Sequence, residues 1–172
     1  MPRCKICKLK FDARFFNQKT CFEAKCVLEY SNKIKVESWK KEKKVLKEKL
    51  KTKSDYVKDL QKEVNKFIRN RDKNKPCISC GKPLIKKFDA GHYRSAGGNP
   101  ELRFEELNIN GQCVYCNQHL HGNLIDYRIR LIERIGVDKV EWLEGSHQSG
   151  KLLIPEIKEK IKEYKAKINS LK

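Results

Sequence analysis

The sequence predicts an α+β fold that is mostly helical and holds a small core stapled by metal ions. Three observations lead to this fold class. Eight cysteines fall into two groups of four, long stretches free of glycine and proline show helical spacing of apolar residues, and the stretch 77–121 is rich in turn residues. Because only 38% of the 172 residues are hydrophobic while 36% are charged, the core must be small and the solvated surface large.

The cysteines are spaced as ligands of two zinc ions. Each group opens with Cys-x-x-Cys, whose two-residue gap lets both thiolates face one tetrahedral ion. The first group closes on a looser Cys-x-x-x-x-Cys, and the second closes on another Cys-x-x-Cys. The two groups are Cys4, Cys7, Cys21 and Cys26, and Cys77, Cys80, Cys113 and Cys116.

A net charge of +18 indicates a polyanionic partner. A charge of this size repels itself unless a polyanion neutralises it, and nucleic acid is the expected one. An acidic membrane surface is the alternative, although the sequence offers no apolar stretch long enough to cross a bilayer. Because the N-terminus MPRCKICKLK lacks the apolar core of a signal peptide, we expect a cytoplasmic protein with reduced thiols.

Changes in composition divide the chain into four segments. Residues 1–30 form an N-terminal four-cysteine zinc module with too few apolar side chains to fold without a metal. Residues 31–75 hold a lysine-rich helical arm and a packing helix, residues 76–145 hold the second cysteine group, and residues 146–172 form an amphipathic C-terminal helix. Ser54 is the expected N-cap of the packing helix, whose apolar stripe should pack on the segment that follows.

The lysine-rich arm, KIKVESWKKEKKVLKEKLKTK at residues 33–53, contains ten lysines and three glutamates, a net charge of +7. It is predicted to form one long exposed helix. Two interpretations stay open: a solvated linker helix, or a basic arm that runs along phosphates. A later helix is predicted to begin near Asn117 and to end at Gly136.

Residues able to carry out chemistry surround the second cysteine group. Asp89 and His92 lie in a stretch predicted to form a short β-hairpin, and Asn117 and His119 come just after Cys116. A zinc ion held by both cysteine pairs would bring the hairpin against the start of the helix. Carboxylate and amide oxygens suit Mg²⁺ or Mn²⁺, and a neutral imidazole can take a proton from water. Metal-assisted hydrolysis of a phosphodiester requires these groups.

The order Cys-x-x-Cys, Asp and His, Asn, Cys-x-x-Cys resembles that of the HNH, or ββα-metal, nuclease group. More closely, nearly the whole chain is similar to the NinG, or Rap, family of lambdoid phages. The similar stretches are NKFIRNRDKNKPCISCG, FDAGHYRSAG, LRFEELNINGQCVYCNQHLHGNL, YRIRLIERIG and the N-terminal CKICKLKF. The strongest coverage spans residues 64–145, whereas the lysine-rich arm is similar in character only.

The resemblance implies an HNH-like core within residues 76–145. It also implies a recombination endonuclease of the bacterial cytoplasm that cuts branched DNA, including Holliday junctions. His92 would be the general base, and Asp89 and Asn117 would be ligands of a catalytic Mg²⁺ or Mn²⁺. The second cysteine group would hold structural zinc.

Further residues are expected to support this site. Asn108 lies five residues before Cys113, where the middle asparagine of many HNH motifs braces the hairpin. His119 is the candidate for the final histidine of the motif and would bind metal or phosphate. Arg94 and Arg103 are candidates for contact with phosphate, since guanidinium pairs well with planar anions, or are ordinary surface charge.

One position departs from the HNH pattern. Gly91 stands where the group usually has Asp or His directly before the base, and the carboxylate of Asp89 lies three residues upstream of His92. On a flat strand, positions 89 and 92 point to opposite faces. A bulge or turn at Ala90–Gly91 would bring them together, and both geometries stay open at this point.

Three functions compete. The first is the metal-dependent endodeoxyribonuclease, the second is a non-catalytic double-zinc DNA-binding recombination mediator, and the third is an HNH nicking enzyme without preference for branches. In the second case His92 is a structural histidine and Asn117 is a helix cap. The expected partners are branched double-stranded DNA and other recombination proteins. A homodimer is also compatible, because symmetric cutting of a junction needs two active sites.

Overall fold

A computed structural model describes residues 1–85, 87–148 and 150–171. Within these ranges, every helix is too short or too polar to cross a membrane. The chain forms two compact units, Met1–Lys51 and Thr52–Lys172. The finer division into four segments stays a prediction.

The first unit is a small cysteine module that continues into a long helix. Its core consists of Cys4, Phe11 and Cys26, with two partly buried neighbours. Helix α1 (Ala24–Lys49) begins earlier than the predicted arm, because the fourth cysteine, Cys26, already lies in its first turn. Cys26 is the buried residue of this helix, and its other side chains lie open or half-open to solvent. The predicted exposed helix is therefore confirmed.

The second unit opens with helix α2 (Lys53–Asp72). Its N-cap is Thr52 and not the predicted Ser54. The Thr52 hydroxyl accepts a hydrogen bond from the Asp55 amide at 3.3 Å, and the Thr52 amide donates to the Asp55 carboxylate at 3.0 Å. Because this reciprocal pair satisfies two amides at once, the helix is capped two residues before the predicted serine.

The apolar stripe of α2 packs on helix α5 (Ile154–Ser170) and on the sheet. Phe67 and Tyr164 meet edge to face, with ring centroids 5.5 Å apart. The predicted packing on the zinc-bearing segment is confirmed through Ile109, and α5 is a partner that the sequence did not indicate. The buried members of this core are Tyr56, Leu60, Val64, Phe67, Ile68, Ile109, Ile157, Tyr164 and Ile168.

Two short antiparallel strands, β1 (Phe88–His92) and β2 (Ile109–Cys113), form the sheet. Their pairing runs without interruption from Phe88 opposite Cys113 to His92 opposite Ile109. The sheet therefore has no bulge at Ala90–Gly91. The predicted short hairpin around Asp89 and His92 is wrong, because β1 pairs with β2, which lies beyond the loop of residues 93–108.

The helix predicted to begin near Asn117 starts later. A single π-helical turn (Tyr115–His119) follows β2, and α3 (Leu124–Ile135) begins only at residue 124. Between them His121, Gly122 and Asn123 have φ angles of 48°, 93° and 43°, and such left-handed residues interrupt a right-handed helix. The predicted end at Gly136 is confirmed, and the short α4 (Val137–Glu144) follows it.

A buried carboxylate joins α2 to the sheet. Asp72 is fully buried and accepts hydrogen bonds from Arg71 at 2.9 and 2.8 Å and from the Gly111 amide at 2.8 Å. Burial by itself raises the pKa of Asp72, but these bonds and the charge of Arg71 hold the pKa below its ordinary value. The stabilisation from this carboxylate is therefore present above the ordinary pKa of 3.8 and is lost as pH falls below it.

We expect Asp72→Ala to lower the free energy of unfolding by about 3–5 kcal/mol, because it leaves a guanidinium and a buried amide without their acceptor. Urea unfolding at neutral pH measures the loss. The matched control is Glu159→Ala, which removes an exposed helical ion pair with Lys162 and should cost less than about 0.5 kcal/mol. Equal losses in the two variants would show that the buried carboxylate does not support the sheet.

Candidate active site

The second cysteine group lies where three pieces of chain meet. The sulfur atoms of Cys77, Cys80, Cys113 and Cys116 all lie within 4.8 Å of one another, and those of Cys80 and Cys113 are 3.8 Å apart. A tetrahedral zinc ion with Zn–S bonds of about 2.3 Å separates its sulfurs by about 3.8 Å. The group could therefore hold a zinc ion with little rearrangement.

Backbone amides already point at these sulfurs. The Cys113 amide donates to the Cys77 sulfur at 3.3 Å, and the Cys116 amide donates to the Cys113 sulfur at 3.5 Å. Such bonds favour the thiolate form, which is the form that binds metal. The group thereby ties the Cys-x-x-Cys turn, the end of β2 and the π-helical turn together.

The first cysteine group has the same compactness. The sulfur atoms of Cys4, Cys7, Cys21 and Cys26 lie within 4.8 Å of one another, with Cys7 and Cys4 at 3.9 and 3.8 Å from Cys21. This group could also hold zinc. Because the module has little other core, a metal would supply much of the free energy of folding.

The π-helical turn brings two neighbouring side chains onto one carboxylate. Asn117 and Gln118 both donate side-chain amide hydrogens to the same oxygen of Asp89, at 3.0 and 2.8 Å. Asp89 lies in β1, so the predicted pair of Asp89 and Asn117 does meet across the sheet and the turn. Sequence reasoning missed Gln118, because no spacing rule indicates a π-helical turn, which is frequent at functional sites.

His92 and Asp89 lie on opposite faces of β1, because the strand pairs without a bulge. Asp89 and Gly91 lie on the face that meets the π-helical turn and Tyr127 of α3, whereas His92 lies with Ala90 on the face on which α2 packs. His92 is the last residue of the strand. The structure therefore joins Asp89 to Asn117 and leaves His92 on the other face of the same ribbon.

The environment of His92 keeps its ring neutral. Its Nε2 lies 3.0 Å from the Arg103 carbonyl oxygen, and since a carbonyl only accepts, Nε2 must carry the hydrogen. The Nδ1 atom is then the basic nitrogen. Burial and the charge of Arg103 lower the pKa of His92, while the bond to the Arg103 carbonyl partly opposes them. The ring is half-buried, and its pKa lies below the ordinary 6.5.

Asn108 braces the loop between the strands. It is fully buried, its amide group donates to the Arg94 carbonyl at 2.9 Å and to the Leu102 carbonyl at 3.0 Å, and its oxygen accepts from the Arg94 amide at 2.7 Å. These contacts are the ones expected of a residue that holds the end of β1 in place.

Gln112 occupies the space where a side chain at position 91 would lie. A Cβ atom at Gly91 would lie 2.1 Å from Oε1 of Gln112, which is fully buried. The Gln112 amide donates to the Ser79 hydroxyl and to the Gly122 carbonyl, both at 2.6 Å. Since Gln112 is fixed in this way, an aspartate at position 91, directly before His92, would not fit. The nearby carboxylate is that of Asp89, two residues before Gly91 on the same face of the strand.

Tyr127 of α3 holds the strand from the same side. Its buried hydroxyl donates to the Gly91 carbonyl at 3.0 Å and accepts from Asn110 at 3.1 Å. Spacing along the sequence does not reveal what this hydroxyl contacts.

The remaining predicted residues lie at the rim. His119 is exposed and lies against the ring of Tyr115, with centroids 5.8 Å apart. Arg103 donates to the Gln61 side chain at 3.0 Å, which holds it beside α2. Arg94 is half-buried, and its Nε atom has no hydrogen-bond partner within the described part of the chain. Metal or phosphate binding by these three side chains stays a prediction.

The fold and site describe a small protein whose two-stranded ribbon meets a helical turn at four cysteines that could hold a zinc ion. A family model described as Bacteriophage Lambda NinG protein matches residues 1–172. The chain belongs to the NinG family. No solved structure matches it.

Relatives from several phages support this assignment. The chain is 39% identical to protein ninG of Escherichia phage 933W, over 99% of this chain and 93% of the relative. It is 42% identical to that of Enterobacteria phage H19B, over 91% and 86% of the two chains. With that of Salmonella phage P22, identity is 47% over 72% of this chain and 61% of the relative.

We expect the purified chain to contain two zinc ions, because both cysteine groups are compact enough to bind one. Cys116→Ser should remove one ion and disorder the β-ribbon, as seen in the dispersion of its amide signals by NMR. Cys26→Ser is the matched control: it should remove the other ion and leave the signals of residues 88–113 unchanged. Metal analysis that gives the same zinc content for wild type and variants would contradict this expectation.

Proposed function

We propose that this chain is a metal-dependent endonuclease that hydrolyses phosphodiester bonds in branched DNA such as Holliday junctions. One observation carries the proposal: Asn117, directly after the last cysteine, meets the Asp89 carboxylate on the ribbon that ends in His92. A protein that only binds DNA does not need this arrangement.

The donor atoms fit a hard divalent cation. Asp89 offers a carboxylate, and Asn117 offers an amide whose nitrogen donates to that carboxylate at 3.0 Å. A flip of this amide would turn its oxygen toward the carboxylate, and such oxygen ligands suit Mg²⁺ or Mn²⁺ and not zinc. Asp89 and Asn117 would hold the ion, with the Gln118 side chain beside them. When bound, the ion polarises the scissile phosphate and stabilises the leaving oxygen.

His92 would act on the attacking water. Its Nε2 hydrogen is held by the Arg103 carbonyl, so Nδ1 is the atom that accepts the proton. The lowered pKa keeps this nitrogen unprotonated at neutral pH. In an in-line displacement the water attacks on the side of phosphorus opposite the leaving oxygen. Because His92 ends β1, the substrate would have to reach it around the end of that strand, on the face opposite Asp89.

Charge supports DNA as the substrate. The net charge of +18 favours a polyanion, and α1 presents its lysines to solvent along 26 residues. The preference for branches is supported by the NinG resemblance alone. Two copies acting together would allow symmetric cutting of a junction.

A non-catalytic DNA-binding protein is the second candidate. The uninterrupted strand favours it, because the pairing keeps His92 and Asp89 on separate faces and the structure shows no contact between them among the described residues. Only cleavage assays separate the two functions.

We expect His92→Ala to reduce Mg²⁺-dependent cleavage of a synthetic four-way junction by at least about a hundredfold, since a general base contributes that much. Junction binding should stay within about twofold of wild type, because the neutral ring provides no charge for phosphate. For wild type, the rate should rise with pH and reach half its maximum below pH 6.5, as the lowered pKa of His92 requires.

The control for this experiment is His147→Ala, which removes a histidine that packs on the edge of Trp142 and has no role in the site. It should cut at the wild-type rate. A His92→Ala enzyme that cuts at the wild-type rate rules out His92 as the base. A wild type that never cuts the junction in Mg²⁺ or Mn²⁺ leaves only the DNA-binding function. Equal cutting of linear duplex would remove the preference for branches.

We expect Asp89→Ala to weaken Mn²⁺ binding to the zinc-loaded chain by at least about tenfold, because it removes the charged ligand. Electron paramagnetic resonance of free Mn²⁺ measures binding without any cleavage. The matched control is Asp126→Ala: Asp126 is exposed, whereas Asp89 is half-buried, and the Asp126 carboxylate also accepts an amide hydrogen bond, from Asn123 at 2.8 Å. If the two variants bind Mn²⁺ equally well, Asp89 is not a ligand.

A further inference from the structure

The N-terminal module exposes aromatic rings that its core does not use. Phe11 is only 8% exposed and packs with the buried cysteines. By contrast, Phe15 is 69%, Phe16 is 96% and Phe22 is 52% exposed. The core of the module includes the ring of Phe11, whereas these three rings lie at its surface. Clustered large apolar side chains at a surface indicate a binding site.

These rings are held in a defined arrangement. Phe15 and Phe22 meet edge to face with centroids 6.3 Å apart, and the Arg14 guanidinium lies 4.6 Å from the centre of the Phe22 ring. Gln18 closes the loop that bears them, since its side chain accepts from the Arg14 amide at 2.9 Å and its amide donates to the Phe15 carbonyl at 3.2 Å. The rings therefore lie on an ordered turn.

Cations surround this turn. Residues 1–26 contain seven lysines and arginines and two aspartates and glutamates, a net charge of +5. Arg14 directly precedes Phe15, and Lys19 lies midway between Phe16 and Phe22. The same short loop thus offers π faces for flat apolar groups and positive charge for anions.

We propose that Phe15, Phe16 and Phe22 form a stacking platform for unpaired nucleobases of DNA. A nucleotide presents a flat base and a phosphate within one unit, which fits alternating rings and cations. A lipid surface fits less well, because three rings on a short loop bury much less apolar area than an amphipathic interfacial helix. The inference deepens the proposed function, since it concerns the same substrate, but it does not depend on cleavage.

Such a platform gives the protein a way to distinguish branched from linear DNA. Bases in an intact duplex are stacked on one another and offer no free face to a phenylalanine. Bases in a single-stranded arm or flap, or in pairs that open at a branch point, are accessible, and stacking on an aromatic side chain tolerates any sequence. The nearly fully exposed Phe16 is the ring most available to them.

Binding of a fluorescent single strand of about 16 nucleotides, and of the matched duplex, to the full zinc-loaded chain without Mg²⁺ tests the platform. We expect Phe16→Ala to weaken single-strand binding about tenfold and duplex binding less than about twofold. The slope of log affinity against log salt should not change, because no phosphate contact is lost. Phe16→Trp should bind the single strand like wild type, whereas Phe16→Leu should bind it as weakly as Phe16→Ala.

The matched control is Leu9→Ala, which removes an exposed aliphatic side chain, 70% open to solvent, from the same module. It should bind like wild type, and zinc content should be unchanged in all variants. Wild-type binding by Phe16→Leu, or equal losses on single strand and duplex, would overturn the proposal. A Phe16→Ala variant that loses binding to phosphatidylserine vesicles but binds single-stranded DNA like wild type would also overturn the proposal. If the platform is confirmed and the junction is never cut, only the nuclease proposal fails.

Discussion

The second cysteine group is the constraint on which the candidate site depends. Its four sulfurs join the Cys-x-x-Cys turn, the end of β2 and the π-helical turn within 4.8 Å. The sheet has only two strands of five residues each, and a ribbon of that size is marginal in water without further support. A zinc ion held by the sulfurs would support the end of β2, and α2 supports the ribbon through the bond from the Gly111 amide to Asp72. Both supports help to place Asp89 beside Asn117.

The sequence predicted the parts of this structure that follow local rules. Cysteine spacing gave both groups of sulfur ligands, apolar periodicity gave the helices, and glycine marked the end of α3 at Gly136. What it could not predict depends on neighbours distant in sequence. The packing of α5 on α2, the π-helical turn that aims Gln118 at Asp89, and the place of Gln112 under Gly91 all arise from tertiary contacts. Neither residue type nor spacing along the chain indicates these contacts.

The two units use their composition in different ways. In the second unit, apolar residues form two buried clusters, and charged groups such as Asp72 are paired inside. In the first unit, burial is confined to the surroundings of the cysteines, and aromatic, aliphatic and lysine side chains remain open to solvent. A module that keeps its rings and cations at the surface uses few of its side chains for a stabilising core. It leaves most of that surface available for contact with a partner.

The close approach of Gln112 to Gly91 links two positions of the chain. A Cβ atom at position 91 would overlap the glutamine, so any side chain introduced there demands a smaller residue at position 112. A side chain added at position 91 would have to displace the Gln112 amide from its bonds to Ser79 and Gly122, whereas a second exchange to alanine or glycine at position 112 removes the overlap. Within the NinG family, the two positions should therefore vary together.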